Sequence, residues 1–133
     1  MSDFATAVGK AFPWHEVYGP NAAAIREFYT QALGMGAESM NMGEMGDYHM
    51  LSVGGTSVAG IQDTTAHPDM ANVPPHWAVY IAVDDVDARV AKITSLGGAV
   101  HVPAMDIPTV GRMALCADPN GAMFWVNKSE NPS

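Results

Sequence analysis

The sequence predicts an α+β protein built from two βαβββ modules, and two observations carry this prediction. Residues 77–99 show an alternating apolar strand, a helix with one apolar stripe and a glycine stop. Residues 14–37 repeat the same plan, with Trp14 and Trp77 at matching positions in the two copies. We therefore expect one domain over residues 12–128, with a curved sheet, helices outside and a concave face inside.

Module one spans about residues 12–62 and has clear helix signals. Asn21 provides a side-chain oxygen for the first free N–H groups of a helix, and Gly34 suits the left-handed position that ends one. Its predicted elements are a strand over 12–18, a helix over 22–33, two strands within the methionine-rich stretch 35–50, and a strand over 56–62. The methionines fill the core or form an adaptable lid.

Module two spans about residues 76–128 and follows a polar linker over 63–75. Asp84 or Asp85 caps its helix, and the glycines after Leu96 end it. Its predicted elements are a strand over 77–83, a helix over 85–96, and strands over 99–103, 111–117 and 122–127, the last two joined by the turn Asp118–Gly121.

Composition limits the partners of the chain. A net charge of −8 argues against nucleic acid and against an anionic membrane surface. The single cysteine, Cys116, forms no internal disulfide and is expected to be a buried, inert thiol in a reducing compartment. We expect residues 1–11 to form a mobile arm and see no signal-peptide pattern in them. No apolar stretch is as long as a membrane helix. We therefore expect a cytoplasmic protein.

Four motifs extend the interpretation to a known family. FYTQALGM ends the first helix, AVDDVDARV follows the fifth strand, LGG closes the second helix, and DPNGAMFWV enters the last strand. With the paired modules, these motifs make the chain resemble the vicinal-oxygen-chelate superfamily, which contains glyoxalase I, bleomycin-resistance proteins and extradiol dioxygenases. The stretch 103–112 is similar to small bacterial glyoxalase-like proteins. The resemblance implies a glyoxalase-like fold and a homodimer.

The resemblance also implies where a metal would bind. Enzymes of this family hold a divalent metal on the concave face with four side chains, typically His and Glu. The matching positions in this sequence are Trp14, Ala78, Trp125 and either Gly60 or Gln62. Indole and methyl groups carry no lone pair for such a cation, and at most Gln62 could donate an oxygen. We therefore expect no metal and no other cofactor.

Strand alternation predicts an aromatic concave face. The residues expected to bind a ligand there are Trp14, Glu16, His49, Gln62, Ala78, Tyr80, Arg112, Met123 and Trp125. The alternative is that the aromatic rings fill a small core. His15, Glu16 and His76 form a further candidate metal site, although neighbouring strand residues point to opposite faces. His67 is expected to be a solvated loop residue.

Two charged residues are candidates for a functional role. A buried carboxylate at Glu16 is costly unless it is paired or protonated, so Glu16 either pairs, with Arg112 as a candidate, or serves a ligand. Arg112 forms a structural ion pair with Asp106 or Asp118, or an anion clamp. The first hypothesis is therefore a metal-free binding protein for a small, partly aromatic molecule. The alternative is a lyase or dioxygenase with a nonstandard metal, or with Glu16 as the catalytic acid or base.

Overall fold

The computed structural model describes residues 11–41, 43, 46–66, 68–107 and 110–129. In chain order the elements are β1 (Trp14–Gly19), α1 (Ala22–Leu33), β2 (Gly36–Asn41), β3 (Asp47–Val53), β4 (Thr56–Asp63), β5 (His76–Ala82), α2 (Val86–Ser95), β6 (Ala99–Ile107), β7 (Gly111–Ala117) and β8 (Met123–Ser129), with a short 3-10 helix at Pro68–Met70. This order confirms the α+β class and the two βαβββ modules. The described residues include no helix that is long and apolar enough to cross a membrane.

The chain divides into two compact units within β5. One unit is Trp14–Ala78, and the described part of the other comprises residues 11–13 and the residues from Val79 to Ser129. The boundary between the units falls inside the predicted second module, and the single domain over residues 12–128 stays a prediction.

Module one packs α1 against one face of four adjacent strands. Its strands lie in the order β2-β3-β4-β1, with β1 and β4 parallel and the other pairs antiparallel. The buried core of this layer is Val17, Leu51, Ala59 and Ile61. Ile25 and Tyr29 of α1 pack on that core, as the apolar stripe predicts. Phe28 of α1 is instead 60% exposed.

Module two repeats this arrangement with α2. Its strands lie in the order β5-β8-β7-β6. The buried core under the helix is Val86, Ala114, Cys116 and Val126, with Val90 and Ile93 of α2 packed against it. Asp85 caps α2 by accepting a hydrogen bond from the amide of Ala88 at 3.0 Å. The helix stop is also confirmed, because Gly97 has a φ of 92°.

Proline explains the two main differences in strand boundaries. β1 begins at Trp14 rather than Phe12, because Pro13 has no N–H to donate to a neighbouring strand. β6 runs past the predicted end at Pro103 to Ile107. It is the edge strand of its sheet and shifts register between Val102 and Met105, which is where a proline is tolerated.

The other differences are small. β3 runs to Val53, β5 is displaced by one residue, β8 runs to Ser129, and Asp63 belongs to β4 rather than to the linker. The predicted arm lies outside the described residues apart from Ala11, and so do His67, Met42 and Met45.

The predicted equivalence of Trp14 and Trp77 is wrong. Trp77 shares a strand face with Ile81, whose partner Val126 lies in the core under α2. Trp14 instead lies on the face of β1 opposite to the core residue Val17. β5 is therefore displaced by one residue from β1 when the two are compared by the sequence repeat. Such a displacement turns every side chain to the other face of the sheet.

Asp63 connects the end of β4 to the start of α1. Its carboxylate accepts hydrogen bonds from the amides of Ala22 at 2.9 Å and Asn21 at 3.3 Å. Asn21 in turn caps α1, because its side-chain oxygen accepts a hydrogen bond from the amide of Ala24. Burial opposes ionisation of Asp63, but hydrogen bonds from Thr65 and the amide of Ala22 outweigh it and lower the pKa to about 2. The ionised carboxylate therefore stabilises the helix start.

We predict that Asp63→Asn lowers the free energy of unfolding at pH 7 by about 1 kcal/mol. Because the folded pKa lies below the unfolded value of about 3.9, the contribution is complete above that value and is lost as pH falls towards 2. Urea unfolding at pH 7, 4 and 2.5 measures this loss. The exposed Asp69 supplies the control Asp69→Asn, and an equal pH dependence in both variants would contradict the prediction.

Candidate functional site

A buried carboxylate lies on the face of module one opposite to α1. Glu16 in β1 is only 5% exposed. Its Oε2 accepts hydrogen bonds from the Tyr48 hydroxyl and, at 3.4 Å, from Trp14 Nε1. Its Oε1 accepts one from Gln62 Nε2 at 3.4 Å. Donors from β1, β3 and β4 thus offset the cost of removing the carboxylate from water.

Gly60 makes this cluster sterically feasible. It is paired in register with Glu16 on one side and with Met50 on the other. A Cβ atom at residue 60 would overlap the Tyr48 hydroxyl and the Glu16 carboxylate. The glycine is therefore needed for close approach of side chains and not for an unusual backbone conformation.

Tyr48 was not among the sequence-predicted site residues. Burial, followed by the charge of Glu16, raises the pKa of its phenol well above the usual range. The hydroxyl therefore stays protonated and donates to Glu16 at neutral pH. Its alternation with Met50 in β3 was visible in the sequence, but the register that brings β3 beside Gly60 of β4 was not.

Module two carries a pair of stacked aromatic rings on the corresponding sheet face, which is the face opposite to its helix. Tyr80 and Trp125 are paired in register and stack with ring centroids 5.5 Å apart and planes 7° apart. Both rings are buried. The pair lies on the sheet face opposite to α2, just as Glu16 and Gly60 lie on the face opposite to α1. The face opposite to the helix therefore holds a carboxylate cluster in one module and an aromatic stack in the other.

Asn127 follows Trp125 on the same face of β8 and carries an unsatisfied acceptor. Its Oδ1 is buried and has no hydrogen-bond partner among the residues that the structure describes. A buried acceptor without a donor costs about 1–3 kcal/mol. A ligand N–H or O–H beside the aromatic stack would satisfy it.

The residues at the family's metal positions do not fit a divalent ion. Trp14 donates its indole N–H to Glu16, and Ala78 and Trp125 have no lone pair to offer. His15 lies on the face of β1 opposite to Glu16, by strand alternation. Within the described ranges, no group of three or more His, Cys, Asp or Glu side chains is arranged to hold a metal. The absence of a metal remains a prediction.

Arg112 forms a structural ion pair, which is one of the two alternatives that the sequence analysis gave for it. Its guanidinium contacts Asp87 at 2.9 Å and Asp106 at 3.1 Å. Hydrogen bonds to Asp87, and then to Asp106, raise the pKa of Arg112. Asp118, the other expected partner, instead accepts the amide of Ala122 at 3.0 Å. The two carboxylates engage the group that would form an anion clamp.

The remaining predicted site residues are dispersed over both faces. His49 lies on the α1 face, where its Nδ1 is 2.9 Å from Ser39 Oγ and 3.4 Å from Arg26 Nη1. Met123 shares the face of Trp125 and is exposed. Cys116 is fully buried, and burial raises the pKa of its thiol.

We predict that Gly60→Ala lowers the free energy of unfolding by about 1–3 kcal/mol, because the new methyl group separates Glu16 from Tyr48. Chemical denaturation measures the loss. Gly19→Ala is the matched control, since its Cβ would meet the flexible end of Ile25 at 3.2 Å. A loss no larger than that of the control would show that the cluster tolerates the methyl group.

Comparison with known proteins identifies relatives of similar sequence. The chain is 39% identical over 115 residues to "Putative glyoxylase CFP32" of Mycobacterium tuberculosis, covering 86% of this chain and 42% of that protein. It is 36% identical over 123 residues to the anthracycline biosynthesis protein DnrV of Streptomyces peucetius, covering 85% and 45%. The chain thus spans less than half the length of these curated relatives.

Solved structures agree on the fold. The hypothetical protein BH1468 of Bacillus halodurans matches with a TM-score of 0.65 and 11% identity, covering 90% of this chain and 94% of that one. Methylmalonyl-CoA epimerase of Mycobacterium tuberculosis matches with a TM-score of 0.59 and 18% identity, covering 91% and 89%. A family model described as Glyoxalase/Bleomycin resistance protein/Dioxygenase superfamily matches residues 11–126. The chain belongs to this superfamily.

Proposed function

We propose that this chain binds a small, partly aromatic molecule on the sheet face of module two that carries Tyr80, Trp125 and Asn127, without a metal. The unsatisfied acceptor of Asn127 is the observation that carries the proposal. It lies next to an aromatic stack, which offers apolar area and ring contacts. The ligand class is therefore a flat ring system that carries at least one hydrogen-bond donor.

The surroundings of Asn127 fit such a ligand. Met113 is its register partner in β7, and Met123 lies on the same face of β8. Methionine side chains adapt to irregular apolar ligands. A relative with 36% identity is named an anthracycline biosynthesis protein, and that name supports a search among polycyclic aromatic compounds.

A second candidate is an enzyme in which Glu16 transfers a proton. Its support is the buried carboxylate held by the Tyr48 hydroxyl, because buried carboxylates with fixed partners are common catalytic acids and bases. A relative with 39% identity carries the word glyoxylase in its name. The two candidates differ in their central residue, which is Asn127 in the first and Glu16 in the second.

The assembly and location of the protein are also proposals. We propose a homodimer, since the edge strands β2 and β6 offer main-chain groups for a second copy. A cytoplasmic location is supported by the single, unpaired Cys116. The net charge of −8 supports a small molecule rather than nucleic acid or a membrane surface as the partner.

We predict that Asn127→Leu acts in opposite directions on stability and on binding. Removing the unsatisfied acceptor should leave the unfolding free energy unchanged or higher, because an apolar group of similar size has nothing to satisfy. Affinity for 2-naphthol, a flat ring with one donor, should fall about tenfold, or about 1.4 kcal/mol. Thermal unfolding and tryptophan fluorescence titration measure the two effects.

The exposed turn residue Asn120 provides the control variant Asn120→Leu, which should change neither property. A loss of stability in Asn127→Leu without a change in affinity would contradict the proposal. Metal analysis of the dialysed protein is run alongside, because a stoichiometric transition metal lost on Glu16→Ala would favour the enzyme instead.

A further inference from the structure

A groove lined by aromatic rings lies within the unit Trp14–Ala78. It has a volume of about 430 Å³ and lies where β1 ends, beside α1 and the start of β5. Five of its lining residues carry aromatic rings, namely Tyr18, Phe28, Tyr29, His76 and Trp77. We call this feature the aromatic groove. Its volume falls in the range of small-molecule sites.

Contacts between the rings fix the shape of the aromatic groove. Tyr29 lies edge-to-face with Phe28 on one side (88°) and with Trp77 on the other (84°). The Trp77 indole N–H also donates to the Tyr29 hydroxyl at 3.0 Å. Tyr18 and His76 stack with centroids 4.8 Å apart. The groove therefore presents preformed aromatic walls at right angles to each other.

Two of these walls are open to solvent. Phe28 is 60% exposed and Trp77 is 46% exposed, although both are large and apolar. Contiguous exposed apolar area of this kind marks a binding surface more often than isolated apolar residues do.

The charges around the groove favour a positive ligand. The lining residues include no Asp, Glu, Lys or Arg, while the whole chain carries a net charge of −8. Aromatic faces carry the negative side of the ring quadrupole and attract cations. The net charge raises the local concentration of cations and lowers that of anions.

His76 adds a hydrogen-bond acceptor. Its Nδ1 lies 2.8 Å from the carbonyl oxygen of Pro74, and because a carbonyl only accepts, Nδ1 holds the hydrogen. In the neutral ring Nε2 is therefore left as an acceptor. An ammonium N–H can donate to it.

We infer that the aromatic groove binds an organic cation that carries an apolar or aromatic body. The cationic group lies against the aromatic faces, and the apolar body fills the space between Phe28 and Trp77. This site is distinct from the proposed ligand site on module two, because the two share no residue. Its failure would leave the proposed function intact.

Three probes with the same ring test the inference: benzylammonium, benzyl alcohol and benzoate. We expect the cation to bind at least about five times more tightly than the neutral alcohol, and benzoate to bind more weakly still. Chemical-shift changes in a ¹⁵N-labelled sample should include the Trp77 indole N–H. Shifts confined to other tryptophans would overturn the assignment.

Variants separate cation binding from simple apolar contact. Phe28→Leu and Trp77→Leu keep an apolar side chain but remove the ring, and each should weaken binding of benzylammonium about two- to fivefold. Phe12→Leu changes an exposed phenylalanine outside the groove and should have no effect. Equal affinity for all three probes, no binding of the cation, or an unchanged affinity in both groove variants would overturn the inference.

Discussion

The buried carboxylate of Glu16 imposes the strongest constraint on module one. A carboxylate removed from water requires hydrogen-bond donors, and the Tyr48 hydroxyl is the principal one shown. The hydrogen bond lies directly against residue 60. A Cβ atom there would overlap both the Tyr48 hydroxyl and the Glu16 carboxylate, so only glycine fits. β1, β3 and β4 must then keep the register that brings these residues together. One polar contact thus determines the packing across three strands.

The two modules share a topology but carry different side chains on the sheet face opposite to the helix. Where module one has Glu16 beside Gly60, module two has Tyr80 stacked on Trp125. Neither arrangement offers the set of His and Glu side chains that the family's metal enzymes use. Module one offers a held carboxylate and module two an aromatic wall with an unsatisfied amide oxygen. These differences direct the proposed functions towards binding and proton transfer.

Local signals in the sequence predicted most of the fold, while contacts between strands limited the prediction of the site. Helix caps at Asn21 and Asp85 act within a few residues, so their positions follow directly from the sequence. Glu16 is a candidate from the sequence because a buried carboxylate is costly unless it is paired or protonated. Tyr48 was missed, because only the register between β3 and β4 brings it to Glu16. A one-residue displacement between repeats likewise made Trp14 and Trp77 look equivalent.

A double-mutant cycle on Glu16 and Tyr48 tests the central claim most directly. Unfolding free energies of the wild type, Glu16→Gln, Tyr48→Phe and the double variant give the coupling between the two side chains. A hydrogen bond to a buried carboxylate predicts a coupling of about 1.5–3 kcal/mol. The exposed pair Glu38 and Ser57, 3.2 Å apart, is the reference and should couple by less than about 0.5 kcal/mol. Additive effects of the Glu16 and Tyr48 variants would contradict the account.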